Sequence, residues 1–289
     1  MDSLTEKVRK IHSETGWGRH KVYSHLVANG ENCSIATVGR RLALVRETTH
    51  AKMIVSLTDW HVPYEDKSAL KAAFAFCEKY QPDVIVIHEA HDFYALSKFD
   101  KDPRRENELQ EEIDVVVKYM RKLRKMCPDS RIIMLESNHL DRLRRYLWSN
   151  ARALAGLRAL KLESLLELQQ LDVKLLPNWE HKGILFKHGD IVRKSSGYTA
   201  KGEYDKEGTS GQTGHTHRLS AHYRTQRNGK FVWVECGCLC NLTPEYITGI
   251  PDWQHGIGVV QFEPDGSQYF SQPVPIINGK IYFGNELIK

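Results

Sequence analysis

Apolar positions recur along this chain with two different periods. In residues 1–47 the period is helical. Leu4, Val8 and Ile11 share one face of a helix over 4–13, Val22 and Leu26 one face over 19–28, and Val38, Leu42 and Val45 one face over 35–45. Ser3 and Ser34 stand where N-caps belong, Gly16-Trp17-Gly18 separates the first two helices, and Asn29-Gly30 ends the second. From residue 52 onward, short β-rich apolar runs alternate with amphipathic helical ones. Residues 52–58, 84–87 and 131–136 predict buried strands, with helices over about 66–80 and about 105–126 between them. That alternation argues for a mainly parallel sheet at the core. The leucine-rich stretch 151–171 predicts a helix, with Leu154, Leu157, Leu160, Leu165, Leu166 and Leu168 packed inward. Residues 173–176 and 184–187 return to strand. After His217 the pattern is wholly β: a hairpin around Asn228-Gly229, a strand over 257–262, and a last hairpin beyond the Asp265-Gly266 turn. The pattern divides the chain into a small module (1–47), a linker (47–51) and a body (52–289).

Composition leaves that division standing. A chain of 289 residues, 41% hydrophobic and 27% charged, suits one sizeable core with a small appendage. No apolar run approaches the ~20 residues of a membrane span, and the N-terminus lacks the apolar segment of a secretory signal. Six cysteines show no disulfide framework and suit a reducing compartment. A cytoplasmic protein without a membrane partner is expected.

Charge does change the picture. Of the net +5, most sits in residues 1–46, where eight Lys and Arg face four acids. Two helices, a short turn and a basic third helix follow the helix-turn-helix plan, with Arg19, Lys21, Arg40 and Arg41 as candidate phosphate contacts. The segment Gly-Trp-Gly-Arg-His-Lys-Val-Tyr-Ser-His-Leu, followed by Ser-Ile-Ala-Thr-Val-Gly-Arg-Arg-Leu, resembles the helix-turn-helix region of insertion-sequence transposases and related phage proteins. DNA is the partner this implies. A docking or dimerisation module, giving a homo-oligomer, is the alternative.

The candidate chemistry lies at strand ends. Asp59 and His61 follow the first run, His88, Glu89, His91 and Asp92 the second, and Asn138 and His139 the third. His188 follows residues 184–187, and Gly214-His215-Thr216-His217 closes the next turn. Open α/β sheets bind ligands at the carboxyl ends of their strands. Carboxylates with imidazoles suit divalent Mn, Fe, Ni or Zn. In an extended Gly-His-Thr-His the two rings project to opposite faces and would serve two neighbouring metals. Arg142, on the helix after His139, is a candidate for substrate phosphate. Cys236, Cys238 and Cys240 alternate in a β context and are expected as buried strand residues, not a zinc site.

The ordered set Asp-x-His, acid, Asn-His, His, Gly-His-x-His resembles the calcineurin-like metallophosphoesterases over about residues 52–275. It is most similar to a phage and bacterial branch, through Asp-Phe-Tyr-Ala-Leu-Ser-Lys-Phe, His-Gly-Asp and Gly-His-Thr-His-Arg. The resemblance implies an α/β fold, a four-layer α-β-β-α sandwich, with two divalent ions, Mn²⁺ favoured and Fe, Ni, Zn or Mg also suited. It places Asp59, His61, Glu89 and His217 on one ion and Glu89, Asn138, His188 and His215 on the other, with His139 as general acid. Where the family usually has Gly-Asp, this chain has His88-Glu89, and Leu140 replaces an acid. His88 is therefore open as a ligand, a substrate contact or bulk. The expected activity is metal-dependent phosphodiester hydrolysis on DNA, in a bacterial or phage-infected cell. The alternatives are a phosphomonoesterase and a non-catalytic DNA-binding protein.

Overall fold

The computed structural model describes residues 3–15, 19–48, 52–98 and 109–289, and for residue 13 and residues 43–48 the backbone only. The Gly16-Trp17-Gly18 break, the inward face of Val45, linker residues 49–51, the 99–103 loop and the expected helix start near Arg105 lie outside it.

Helices α1 (Ser3–Thr15), α2 (Arg19–Ala28) and α3 (Ile35–Thr48) make the N-terminal module. Val8, Val22, Leu26, Val38 and Leu42 are buried against one another, with Leu4, Ile11, Tyr23 and Cys33 at the margin. These apolar faces, at i, i+3 and i+4 spacing, give the module a core of its own. The Arg19 amide N–H donates to Asp129 Oδ1 (2.7 Å), a tie between module and body.

In the body, β1 (Met53–Leu57), α4 (Lys67–Tyr80), β2 (Val84–Ile87), α5 (Leu109–Met126), β3 (Arg131–Leu135) and α6 (Leu140–Asn150) alternate. The single turn α7 (Leu162–Leu165) then leads to β4 (Val173–Leu176). Asp66 starts α4 as its N-cap, its carboxylate accepting from the amides of Ser68 and Ala69. A second group follows: β5 (Trp179–His181), β6 (Ile184–Phe186), α8 (Tyr198–Glu207), β7 (Ser210–Thr213), β8 (Leu219–Gln226) and β9 (Gly229–Cys236). The chain returns through β10 (Gly256–Phe262) and β11 (Tyr269–Pro275), and ends in the hairpin β12 (Ile281–Phe283) and β13 (Glu286–Ile288).

One sheet has the order β11-β10-β1-β2-β3-β4 and the other β5-β6-β7-β9-β8. Strands β1 to β4 pair in parallel, as do β6 with β7 and β7 with β9. Side chains alternate across each strand, and that alternation defines the layers. Ile54, Val84, Val86, Ile133 and Leu135 meet Ile184 and Phe186 between the sheets. Val55, Leu57, Ile85, Ile87, Ile132 and Met134 face α4, α5 and α6. On the far side, Ala200 and Tyr204 of α8 pack on Trp233 of β9. The result is a mixed α/β sandwich of four layers, α-β-β-α. Each fully buried Ile or Leu contributes roughly 1.5–3 kcal/mol, so both faces of the first sheet are held by burial.

One expectation changes, and one helix was not foreseen. Residues 151–171 do not form one helix: they make the 3-10 turns Arg152–Leu154 and Arg158–Leu160, then α7. Gly156 interrupts the run, Leu154 and Leu157 are exposed, and Leu166 and Leu168 alone of the six leucines are fully buried. Helix α8 had no apolar stripe to announce it, because its buried side chains include Thr199 and Glu203. Among the described residues no helix is long and apolar enough to cross a membrane.

Candidate metal centre

Five parallel strands end at one edge of the sandwich, three from the first sheet and two from the second. Just past β1 lie Asp59 and His61, past β2 Glu89, past β3 Asn138 and His139, past β6 His188, and past β7 His215 and His217. The turns are tight. Asp59 (φ 50°), His61 (φ 50°), His215 (φ 69°) and His217 (φ 59°) all adopt the left-handed backbone, which costs a residue other than glycine on the order of 1 kcal/mol or more. Gly-His-Thr-His is therefore not extended, as the sequence suggested. Its two rings still reach different partners. A β-carbon at Gly214 would collide with the Asp59 carboxylate, so only glycine lets β7 and β1 end this close together.

The side chains gather into two adjoining sets. In the first, His61 Nε2 lies 3.0 Å from His217 Nε2, 3.1 Å from Glu89 Oε1 and 3.7 Å from Asp59 Oδ1. In the second, His188 Nε2 lies 2.8 Å from Asn138 Oδ1, 3.2 Å from His215 Nδ1 and 3.7 Å from Glu89 Oε2. Glu89 thus presents one oxygen to each set, its extra methylene accommodated. Both Glu89 oxygens are buried without a hydrogen bond, as is His188 Nδ1. A buried carboxylate without donors is costly unless a cation meets it. The ring nitrogens stand 3.0–3.2 Å apart, close enough for each pair to share one ion with bonds of about 2.1 Å. The donor set fits divalent metals.

Electrostatics agree. Burial alone would raise the Asp59 carboxyl, but His61, His217 and His188 hold it well below the usual carboxylate range. Burial likewise opposes ionisation of Glu89, and His139, His61 and His188 overcome it, bringing the carboxyl down to about 2. Burial pushes His217 down to about 3 and also lowers His188. Burial opposes the charge on His61 too, but Glu89, Asp59 and Asp92 outweigh it and hold that imidazole well above its ordinary value. Ionised carboxylates with neutral His188 and His217 are the protonation states a metal needs, and an ion at His61 would take the place of its proton.

The remaining candidates are placed differently. His88 is fully buried, with Nδ1 2.9 Å from the Lys187 carbonyl and Nε2 3.0 Å from Ser56 Oγ. Both nitrogens are engaged between the two sheets, which corrects its expectation as a substrate contact. Arg142 NH1 donates to the Asp92 carboxylate (2.8 Å) and carbonyl (2.7 Å), and NH2 donates to His139 Nε2 (3.0 Å). Lys21 and Arg40 are exposed on the module, and Arg41 is half-buried. Arg19 is half-buried too, its side chain covering Gly39 of α3, so it leaves the exposed basic face.

No family model matches the chain. The Gene 54 protein of Mycobacterium phage D29 is 30% identical over 247 residues, covering 80% of this chain and 96% of that protein. The chain belongs to the Gene 54 protein family of mycobacteriophages. The Gene 54 protein of Mycobacterium phage L5 is 28% identical over the same length and shares. Among solved structures, vacuolar protein sorting 29 from Cryptosporidium parvum matches with a TM-score of 0.40 at 12% identity, covering 83% of this chain and 95% of that one. Yfce, a phosphoesterase from E. coli, matches with a TM-score of 0.33 at 11% identity, covering 75% of this chain and 96% of that one. These superpositions are loose, and the centre is read from the chain's own geometry.

In this member of the Gene 54 family the structure gives Asp92, one of the four potential ligands after β2, a specific place and brings Cys240 and Glu235 to the centre as well. Asp92 Oδ1 lies 3.1 Å from His61 Nδ1 and 2.9 Å from His139 Nδ1. Cys236 and Cys238 are buried as expected. Cys240, also buried, further brings its sulfur 3.7 Å from His217 Nδ1. Glu235 is fully buried and accepts from Thr216 Oγ1 (2.7 Å), Gly197 N (3.0 Å), Ala200 N (3.4 Å) and Ser220 Oγ. It fastens the turn between His215 and His217 to the start of α8, and its sole sequence signal was an acid in a strand otherwise buried. Replacing Glu235 by glutamine leaves a buried amide N–H₂ facing donors. We expect metal affinity to fall about 10- to 100-fold, read by metal titration, with a lower melting temperature. Unchanged affinity would show that the turn holds itself.

Proposed function

We propose that this chain is a metal-dependent phosphoesterase acting on the phosphodiester bonds of DNA. The observation that carries this is the two adjoining donor sets joined through Glu89. Asp59, His61, Glu89 and His217 would hold one divalent ion, and Glu89, Asn138, His188 and His215 the other, Mn²⁺ suiting the mixed oxygen and nitrogen ligands. When bound, such a pair acidifies water and neutralises phosphate oxygens.

The chain's own groups do the rest. A guanidinium can only donate, so His139 Nε2 accepts from Arg142 and the ring proton sits on Nδ1, toward Asp92 and Glu89. To protonate a leaving alkoxide, His139 must carry a proton on Nε2, and Arg142 must then turn its NH2 away. Released from His139, Arg142 would be free to donate to a substrate phosphate. Asp92, held below the usual carboxylate range by His139 and His61 in spite of burial, balances the imidazolium.

The experiment is hydrolysis of plasmid DNA, p-nitrophenyl phosphate and its bis ester, with Mn²⁺ and with EDTA. We expect Mn²⁺-dependent cleavage of DNA and the bis ester. Cleavage of the monoester alone would refute the nuclease reading, and DNA binding without any cleavage would refute the enzyme.

The DNA preference is supported by the exposed cations of the module. Replacing Lys21 and Arg40 with alanine should weaken DNA binding and make log K against log[salt] shallower by about 2, near 0.9 for each phosphate left without its cation. Fluorescence anisotropy between about 50 and 200 mM salt reads this directly. An unchanged slope would leave the module a docking role.

A further inference from the structure

Residues 241–255 connect β9 to β10 and overhang the centre. Both ends are pinned to it. Asn241 N–H donates to the Tyr64 carbonyl (2.6 Å), Gln254 N–H donates to the His217 carbonyl (2.9 Å), and His255 Nε2 lies 2.7 Å from the Cys240 carbonyl. Between the pins the apex is open: Gly249 turns at φ +92° with open space where a β-carbon would point, and Ile250 is 97% exposed.

Two aromatic side chains of this loop lie close to the centre, one directly and one through Tyr64. The Trp253 ring packs against His217, centroids 4.2 Å apart. Tyr246 meets Tyr64 edge-to-face at 5.1 Å, and Tyr64 meets Tyr94 at 5.6 Å. This wall is tied to the ligand turns: Tyr64 N–H donates to the His61 carbonyl, and Tyr94 stands two residues after Asp92. Tyr246 nonetheless keeps 48% of its surface exposed. A half-exposed ring on a pinned loop, one ring away from the His61 turn, offers a π-face to whatever the phosphate is attached to.

We propose that the 241–255 loop is a base subsite, in which Tyr246 stacks on the nucleobase next to the phosphate being cleaved. This rests on the phosphodiesterase reading above and specifies its substrate: a nucleoside ester whose base is unpaired and free to stack. Every base has a π-face, so the subsite selects for a base without selecting which one.

The test compares thymidylyl-thymidine with the same phosphodiester carrying abasic tetrahydrofuran residues, products being separated by chromatography. Losing one base–aromatic stack corresponds to roughly tenfold. The ratio of kcat/KM for the two diesters should therefore fall about tenfold in Tyr246→Leu and be kept in Tyr246→Phe. A ratio equal in wild type and Tyr246→Leu overturns the subsite and leaves the phosphodiesterase reading intact. If the wild type cleaves neither diester, that reading fails, and equilibrium dialysis decides the subsite alone. Adenosine 5′-monophosphate held more tightly than ribose 5-phosphate by wild type but not by Tyr246→Leu supports it, and equal retention overturns it.

Discussion

Replacing Glu89 by alanine is expected to cost about 10³-fold or more in hydrolysis of the bis ester, as several kcal/mol of charge stabilisation are withdrawn. Glu89 turns one oxygen toward each donor set, 3.1 Å from His61 and 3.7 Å from His188. Its loss removes the anion that His139, His61 and His188 share. Metal content by mass spectrometry should fall with activity, and glutamine, which keeps the shape without the charge, should lie between. In metal-free protein the lowered Glu89 carboxyl contributes stability that is full above its ordinary value of 4.5 and lost as the pH falls toward about 2. The alanine variant should lack that dependence. Two ions retained in Glu89→Ala would show that the sets do not need their common carboxylate.

The second large effect is at His139. Glutamine there should lower kcat on DNA by about 10²- to 10⁴-fold, the usual contribution of a general acid, with metal content unchanged. Nitrophenolate leaves readily without a proton and alkoxide does not, so the bis ester should suffer much less than DNA. An equal loss on both substrates would assign His139 to holding Arg142 and Asp92 in place, not to proton transfer.

The first sheet was legible in the sequence because its parallel strands are buried on both faces and read as unbroken apolar runs, as in Val84–Ile87. The helical spacing of Val8, Val22, Leu26, Val38 and Leu42 likewise announced the module's packed faces. Strand β5 and helix α8 were not legible, since Trp179–His181 is only three residues long and α8 buries Thr199 and Glu203 as readily as Ala200. At the centre, Asp59, His61, Glu89, Asn138 and His188 could be named because each follows a recognisable run, and His215 and His217 through their Gly-His-Thr-His turn, since the Ser-Gly-Gln-Thr of β7 carries no apolar run. Asp92 stood in view among the four potential ligands of His88–Asp92, and nothing local separated it from His88, which turned out to be spent on Ser56 and Lys187. Cys240 and Glu235 act across the fold, and contacts at a distance leave no period in a sequence. The left-handed backbone at Asp59 and His61 was equally silent: aspartate and histidine tolerate it better than most residues, yet few of either adopt it.

Because three of the contributing strands belong to one sheet and two to the other, the seam between the sheets sets the spacing of the ligands. Ile54, Val86, Ile184 and Phe186 fill that seam, and His88 rivets it from Ser56 to Lys187. Slack introduced there, well away from any ligand, would be felt as a change in which ions fit, so that an oily interior layer acts as the gauge of an ionic one.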